Sequence, residues 1–275
     1  MIGSIVGDIV GSIYEFQNIH VKDFELFGPQ VEYTDDSILT LATADAILTG
    51  DFLRITDYYA RYAVTYPSPL GGYGCSFRNW VIQKERTGYA PAYNSCGNGS
   101  AMRVGPVGWA FQTKNEVMNA ARISAEGTHN HPEGIKGAQA TAMCIFLARN
   151  GALKSEIQQC MEQDFGYRFP LTISELQKCY SWAGINGEGN GGICQDSVPQ
   201  AIQCALQAND FEDAIRNAIS IGGDSDTIGC ITGSIAEAIY GVSSEIYQKA
   251  MSYLPDNFRK IVTAFEAKYG SGLRE

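Results

Sequence analysis

Glycine recurs every fourth residue at the start of the chain, at Gly3, Gly7 and Gly11, inside the apolar segment MIGSIVGDIVGSIY. Wound as a helix, that spacing stacks the three on one face. A face without side chains lets another helix approach to backbone distance. The rest of the chain has the periodicity to supply a partner. Ile38, Leu41, Ala42, Ile47 and Leu48 form an apolar stripe after Thr34-Asp35-Asp36-Ser37, as an amphipathic helix requires. Gln139 to Ala148 is apolar nearly all round, which predicts a helix buried on most sides. Ile202 to Ala208, Ala214 to Ile221 and Ile228 to Tyr240 repeat the pattern, and Ile246 to Ala267 reads as two helices broken at Pro255. Alternating β-branched runs bounded by hairpin turns are absent, so an all-α fold is expected.

Charge and cysteine usage narrow the function classes. Thirty acidic residues against 20 basic give a formal net charge of −10, which disfavours general binding to a phosphate backbone. The surplus carboxylates must face water or hold cations. The eight cysteines are scattered without a C-x-x-C pair, and there are only three histidines, so neither a zinc framework nor a disulfide scaffold is expected. No positive segment precedes the apolar start, Asp8 interrupts it, and no apolar run approaches the roughly 18 residues of a membrane span. A soluble, cytoplasmic protein without a membrane partner follows as the expectation. With 275 residues, no linker and no internal repeat, the chain reads as one domain, 1–275.

Five constellations carry chemistry. If residues 5–16 are helical, Asp8, Ser12 and Glu15 share one face, either as a solvated edge or as a functional one. Thr34-Asp35-Asp36-Ser37 opens a helix, where acids serve as ordinary caps. Gly222-Gly223-Asp224-Ser225-Asp226-Thr227 precedes another. In a glycine-rich loop Asp224 and Asp226 can turn to one point, and their oxygens with the Thr227 hydroxyl suit Mg²⁺, Mn²⁺ or Ca²⁺. If the two acidic helix starts converge, mutual repulsion nearly obliges a cation between them. The run from Asn94 to Arg103 is a Gly/Ser-rich turn into a helix, a plain N-cap loop or an anion cradle with Arg103 nearby. It lacks the lysine and spacing of a nucleotide triphosphate loop. His129, in Thr128-His129-Asn130-His131-Pro132, is either a structural loop histidine or a ligand contact.

With these residues collected, the chain resembles the ADP-ribosylglycohydrolase family. The resemblance rests on Gly7-Asp8 with Gly11-Ser12-Ile13-Tyr14-Glu15, Tyr33-Thr34-Asp35-Asp36-Ser37, Gly97-Asn98-Gly99-Ser100-Ala101-Met102-Arg103, Thr128-His129, and Gly222-Gly223-Asp224-Ser225-Asp226-Thr227-Ile228, in order along almost the whole chain. It implies a compact, single-domain orthogonal helical bundle. It also implies two Mg²⁺ or Mn²⁺ ions held by Thr34, Asp35 and Asp36 on one side and Asp224, Asp226 and Thr227 on the other. The implied activity is hydrolysis of the glycosidic bond at the distal ribose of an ADP-ribosylated protein or small-molecule conjugate, with Glu15 as general acid or base and Asp36 at the catalytic centre. Ser95, Cys96, Gly97, Asn98, Gly99 and Ser100 would cradle the diphosphate, with His129 on the same part of the ligand. Gly72, Tyr73 and Gly74 would line the substrate.

Two departures bear on substrate. Cys96 stands where related sequences commonly carry a tyrosine beside the adenosine, which leaves Tyr89 or Tyr93 to stack on the base. Gly74 to Asn79 lacks the extra aspartate usual in arginine-directed members. Both Glu15 and that missing acid favour O-linked ADP-ribose (serine-linked, polymeric or O-acetyl) over the arginine-linked form. A monomer is expected. Two alternatives stay open: a Mg²⁺-dependent diphosphate lyase of helical fold, although Asp35-Asp36 is followed by Ser37-Ile38-Leu39 with no third acid, and a catalytically silent ADP-ribose-binding protein.

Overall fold

The computed structural model describes residues 1–270 and 272–274. Its helices are α1 (Ile2–Gly11), α2 (Asp35–Leu48), α3 (Ile55–Thr65), α4 (Cys75–Thr87), α5 (Gly99–Met102), α6 (Gly105–Ala110), α7 (Lys114–Glu126), α8 (Pro132–Arg149), α9 (Lys154–Asp164), α10 (Ile173–Cys179), α11 (Cys194–Leu206), α12 (Phe211–Ser220), α13 (Ser225–Tyr240), α14 (Ser244–Tyr253) and α15 (Asp256–Tyr269). Among the described residues, extended structure amounts to two short pairs: β1 (Tyr180–Ser181) antiparallel to β2 (Gly184–Ile185), and β3 (Val242–Ser243) parallel to β4 (Leu273–Arg274). The fold is all-α, and its buried apolar side chains join in a single cluster.

The glycine face of α1 finds its partner in α13. Every residue of α1 is buried. A Cβ on Gly3 would lie 2.2 Å from the Gly233 carbonyl oxygen, and one on Gly7 would lie 1.9 Å from that of Gly229. At the far end, a Cβ on Gly11 would meet the Ser225 oxygen and the Asp226 Cα at 2.5 Å. The order of these pairs makes the helices antiparallel, in backbone contact from end to end. The C-terminal end of α1 therefore abuts the N-terminal end of α13, where Asp224 and Asp226 stand.

Two sequence expectations need adjusting. The helix expected over 5–16 ends at Gly11, so Glu15 lies on irregular backbone. Ser12 helps end it: its hydroxyl donates to the Ile9 carbonyl at 2.8 Å and accepts from the Glu32 N–H at 3.2 Å, local bonds that compete with a further helical turn. The helix placed at Ile202 begins earlier, at Cys194, and takes Pro199 inside it. Elsewhere periodicity reads true. The stretch from Gln139 lies in α8, which is buried on most faces among α6, α7, α11 and α13, and Pro255 separates α14 from α15 as its N-cap.

The α1–α13 contact has a direct test. Gly7→Ala forces a methyl group into the Gly229 backbone, which cannot yield as a side chain does. We expect a loss of about 3 kcal/mol of unfolding free energy, read from urea midpoints. An unchanged midpoint would mean that the helices are not in backbone contact.

Candidate functional site

Four pieces of chain meet at the end of the α1–α13 pair: Asp8 of α1, the turn carrying Glu15, the start of α2 and the start of α13. Thr34 caps α2, its side chain accepting from the Asp36 N–H at 3.2 Å. Asp8, fully buried, accepts from the Thr34 N–H at 2.9 Å, the Thr34 hydroxyl at 2.6 Å, the Ser37 N–H at 3.0 Å and the Ser37 hydroxyl. It fastens α1 to the start of α2, a role that the Asp8-Ser12-Glu15 spacing did not reveal. Gly222 and Gly223 take left-handed φ values of 78° and 76°, and that double turn brings Asp224 beside the first turn of α13.

The carboxylates converge. One oxygen each from Asp8, Asp36 and Asp226 lie within 4.8 Å of one another, and the same holds for Glu15, Asp224 and Asp226. Asp226 belongs to both groups. The Thr227 hydroxyl is 3.4 Å from Asp36 Oδ2, while Asp35 stands partly exposed beside them. Among the described residues no lysine or arginine pairs with any of these acids. Burial therefore dominates their titration and like charge adds to it. Asp36 and Asp226 are held well above the usual carboxylate range, Asp8 and Asp224 are pushed up to about 6, and Glu15 is raised to about 8 by burial and then by the charges of Asp226 and Asp8. Asp36 Oδ1 is buried without a hydrogen-bond partner. A set of hard oxygens, close-packed and short of positive charge, with Asp36 Oδ1 left without a donor, fits a divalent cation of the Mg²⁺ or Mn²⁺ kind.

Glu15 is held through its main chain. Its carbonyl accepts from Trp182 Nε1 at 2.7 Å and from Asn18 Nδ2 at 3.2 Å. Asn18 also binds both polar groups of the Gly223 backbone, its amide donating to the carbonyl at 2.8 Å and its oxygen accepting from the N–H at 2.9 Å. The Glu15 carboxylate reaches its place because Gly71 has no side chain: a Cβ there would sit 2.7 Å from Oε2. Neither Asn18 nor Trp182 carries a local sequence signal, since their partners lie up to 205 residues away.

From the acids a cleft of about 530 Å³ runs to the Gly97 turn. Glu15, Asp35, Asp36, Asp224, Asp226 and Thr227 line one end, and Ser95, Gly97, Asn98, Gly99 and His129 the other. Gly72, Tyr73 and Gly74 form part of the wall with Phe77 and Arg78. Asn98 joins the two ends, donating from its side chain to Asp224 Oδ2 at 2.8 Å. Three of the residues named from sequence stand behind the lining. Thr34 is buried on Asp8, the Ser100 hydroxyl donates to the Gly134 carbonyl at 2.7 Å, and the Cys96 carbonyl accepts from the Cys194 N–H at 2.8 Å. Of the two tyrosines considered for base stacking, Tyr93 lines the cleft and Tyr89 is 67% exposed away from it. Within the loop, the Gly97 and Asn98 N–H groups are engaged internally, on Ser95 Oγ at 3.0 Å and the Gly192 carbonyl at 3.1 Å. Gly99 and Ser100, opening α5, are the amides without a helical partner.

Residues 1–269 match the profile of the ADP-ribosylglycohydrolase family. The chain belongs to that family. Relatives include the ADP-ribosylhydrolase ARH3 of Mus musculus, 29% identical over 96% of this chain and 86% of the relative, and that of Danio rerio, 28% identical over 89% and 82%. The ADP-ribosylarginine hydrolase Tri1 of Pseudomonas putida (strain GB-1) is 27% identical over 88% of this chain and 70% of its own. A solved structure described as an ADP-ribosylglycohydrolase-related protein complex shares the fold, with a TM-score of 0.72 at 23% identity over 98% of this chain and 95% of that one. As an ADP-ribosylglycohydrolase the protein is a glycosidic-bond hydrolase, which removes the diphosphate lyase alternative. No helix among the described residues is long and apolar enough to cross a membrane.

The acid cluster predicts how the chelated protein responds to pH. A carboxyl whose folded pKa is raised contributes stability below its unfolded value, near 4, and loses it as pH rises through the folded value. With Asp8 and Asp224 at about 6 and Glu15 at about 8, the melting temperature in chelator should fall steadily from about pH 4 to about pH 8. Asp36→Asn should flatten that slope. A melting temperature that climbs over this range would show that the acids are not packed together.

Proposed function

We propose that the protein hydrolyses O-linked ADP-ribose conjugates, on protein or small molecule, with two Mg²⁺ or Mn²⁺ ions resident at the acidic end of the cleft. The observation that carries this reading is the sharing of Asp226 between two carboxylate groups, next to Glu15 and at one end of a cleft long enough for an extended ligand. Thr34, Asp35 and Asp36 would hold the ions from the α2 side, and Asp224, Asp226 and Thr227 from the α13 side. When bound, divalent cations offset the charge of these carboxylates, orient ribose hydroxyls and make water more acidic.

The chain's own residues do the rest. Glu15, partly buried beside Asp224 and Asp226, is the carboxyl placed to give and take a proton, as a group serving a leaving oxygen and an attacking water must. Asn18 and Trp182 keep it facing the acids. The Gly97–Gly99 end with His129 takes the diphosphate, and Tyr93 lies beside it for the base. Binding there, remote from the bond that breaks, fixes the anomeric carbon against Glu15. One domain acting as a monomer suffices, since every group named comes from one chain.

Arg78 supports the choice of linkage. It lines the cleft wall and is exposed, with no acid paired to it among the described residues. The segment from Gly74 to Asn79 carries no carboxylate. A guanidinium leaving group would meet like charge there, whereas serine or ribose oxygens would not. This separates the expected activity from the one named for Tri1.

A panel of arginine-, serine-, polymer-, acetyl- and nucleobase-linked ADP-ribose, scored for free ADP-ribose with and without Mg²⁺, tests the reading. O-linked substrates should be cleaved first, and chelator should abolish turnover. Asp36→Ala and Asp226→Ala should leave almost none, and Glu15→Gln should cost about 10²-fold or more in kcat. Full turnover by either aspartate variant would sink the metal assignment. Preferential cleavage of the arginine-linked substrate would sink the linkage assignment. Tight ADP-ribose binding without turnover of any member would favour a silent binding protein.

A further inference from the structure

Arg103 is a buried charge without a counter-charge. It is 1% exposed, its guanidinium lies 4.0 Å above the Tyr59 ring, and it makes no ion pair among the described residues. Nη2 donates to the Ser124 carbonyl at 2.9 Å and to Thr128 Oγ1 at 2.7 Å, while Nε and Nη1 have no partner. A buried, unpaired guanidinium is costly. In the sequence this arginine lies close to the glycine-rich turn, which reads as a plain N-cap loop or an anion cradle. The fold buries it against Thr128, the neighbour of His129, among the residues that line the cleft.

The Thr128 hydroxyl lies between the two. It accepts from Arg103, which takes one of its lone pairs. For its own proton, His129 Nδ1 at 2.8 Å is a much closer acceptor than the Ala125 carbonyl at 3.4 Å. An imidazole that accepts at Nδ1 carries its proton on Nε2. That nitrogen makes no hydrogen bond within the protein and faces the glycines of the turn: a Cβ on Gly99 would lie 3.1 Å from it, and one on Gly97 3.5 Å.

We propose that Arg103 acts through Thr128 to lock His129 as a neutral imidazole with its proton on Nε2, a fixed donor to the anionic group bound over Gly97 and Gly99. The anion's identity as the diphosphate of ADP-ribose rests on the function proposed above. Arg103 and Thr128 are positioning residues in this account, and the bound anion would also supply the counter-charge that Arg103 lacks. Burial and the Arg103 charge both hold the His129 pKa well below its ordinary value. Arg103 and Tyr93 are the titratable groups that face the ring, with the Tyr93 ring centroid at 5.8 Å. The start of α8 brings Gly134 against it, and His131 is occupied in accepting from the Glu133 N–H at 3.1 Å. Among the described residues no carboxylate pairs with His129.

Long-range ¹H–¹⁵N correlation of the histidine rings reads the tautomer directly, and with three histidines in the chain assignment by substitution is simple. The wild-type protein should show His129 protonated on Nε2 alone and unchanged from pH 8 to about pH 5. Thr128→Val keeps the shape and removes the relay, so His129 should then populate both tautomers, and the affinity for ADP-ribose, measured by calorimetry, should fall about tenfold. His129 protonated on Nδ1 in the wild type, or titrating near the ordinary value of about 6.5, would overturn the proposal. So would a Thr128→Val spectrum identical to the wild type. The wild-type spectrum decides even if that variant does not fold. Failure of ADP-ribose to bind a protein with the expected tautomer would count against the proposed ligand and leave the lock standing.

Discussion

The backbone contact between α1 and α13 is the constraint on which the site depends. Gly3, Gly7 and Gly11 bring the two helices together with no side chains between them, and the approach is closest at Gly7 and Gly229, one turn before α1 ends. Asp8, one residue after Gly7, then lies within reach of Asp226. Through its four hydrogen bonds to Thr34 and Ser37, Asp8 brings in the start of α2 and with it Asp36. A side chain at Gly7 or Gly11 would part the helices and separate the acids. Packing and chemistry here are consequences of the same small residues.

What that packing assembles is electrostatically unfavourable alone. Five carboxylates crowd together, with no lysine or arginine paired to them among the described residues, and burial disfavours the charge on each. The helix starts of α2 and α13 offer partial positive charge, too little to offset several full negative ones. The strain is concentrated at one end of the cleft, while the other end is built from glycine backbone and a neutral histidine backed by an arginine. On the proposed function, an acidic protein of net charge −10 receives an anionic ligand because its carboxylates in the cleft are gathered where cations can sit, with Asn98 of the Gly97 turn donating to Asp224 between the two.

Much of this was legible along the chain. The apolar periods of α8 and α13, the break at Pro255 and the two acidic helix starts all follow from local rules of pattern, capping and charge. The four-residue glycine spacing predicted a close helix contact, although only the fold shows that Gly229 and Gly233 answer it. Other features escaped because their causes are not local. The end of α1 at Gly11 goes with the Ser12 hydroxyl, which bonds back to Ile9 and is also claimed by the Glu32 N–H twenty residues on. Trp182 reaches the Glu15 carbonyl from 167 residues away, and Asn18, three residues from Glu15, is itself fixed by the Gly223 backbone 205 residues on. Arg103 has the same sequence context whether it faces a ligand or lies beneath one. Ser100 looks like an anion contact until Gly134 claims its hydroxyl.

The account turns on a metal pair sharing Asp226. Anomalous diffraction at the manganese edge from crystals grown with Mn²⁺ tests it most directly. Two peaks are predicted, one between Asp36 and Asp226 and the other between Asp226 and Asp224, with Glu15 alongside. No peak at the four aspartates, or manganese bound only elsewhere on the acidic surface, would contradict it.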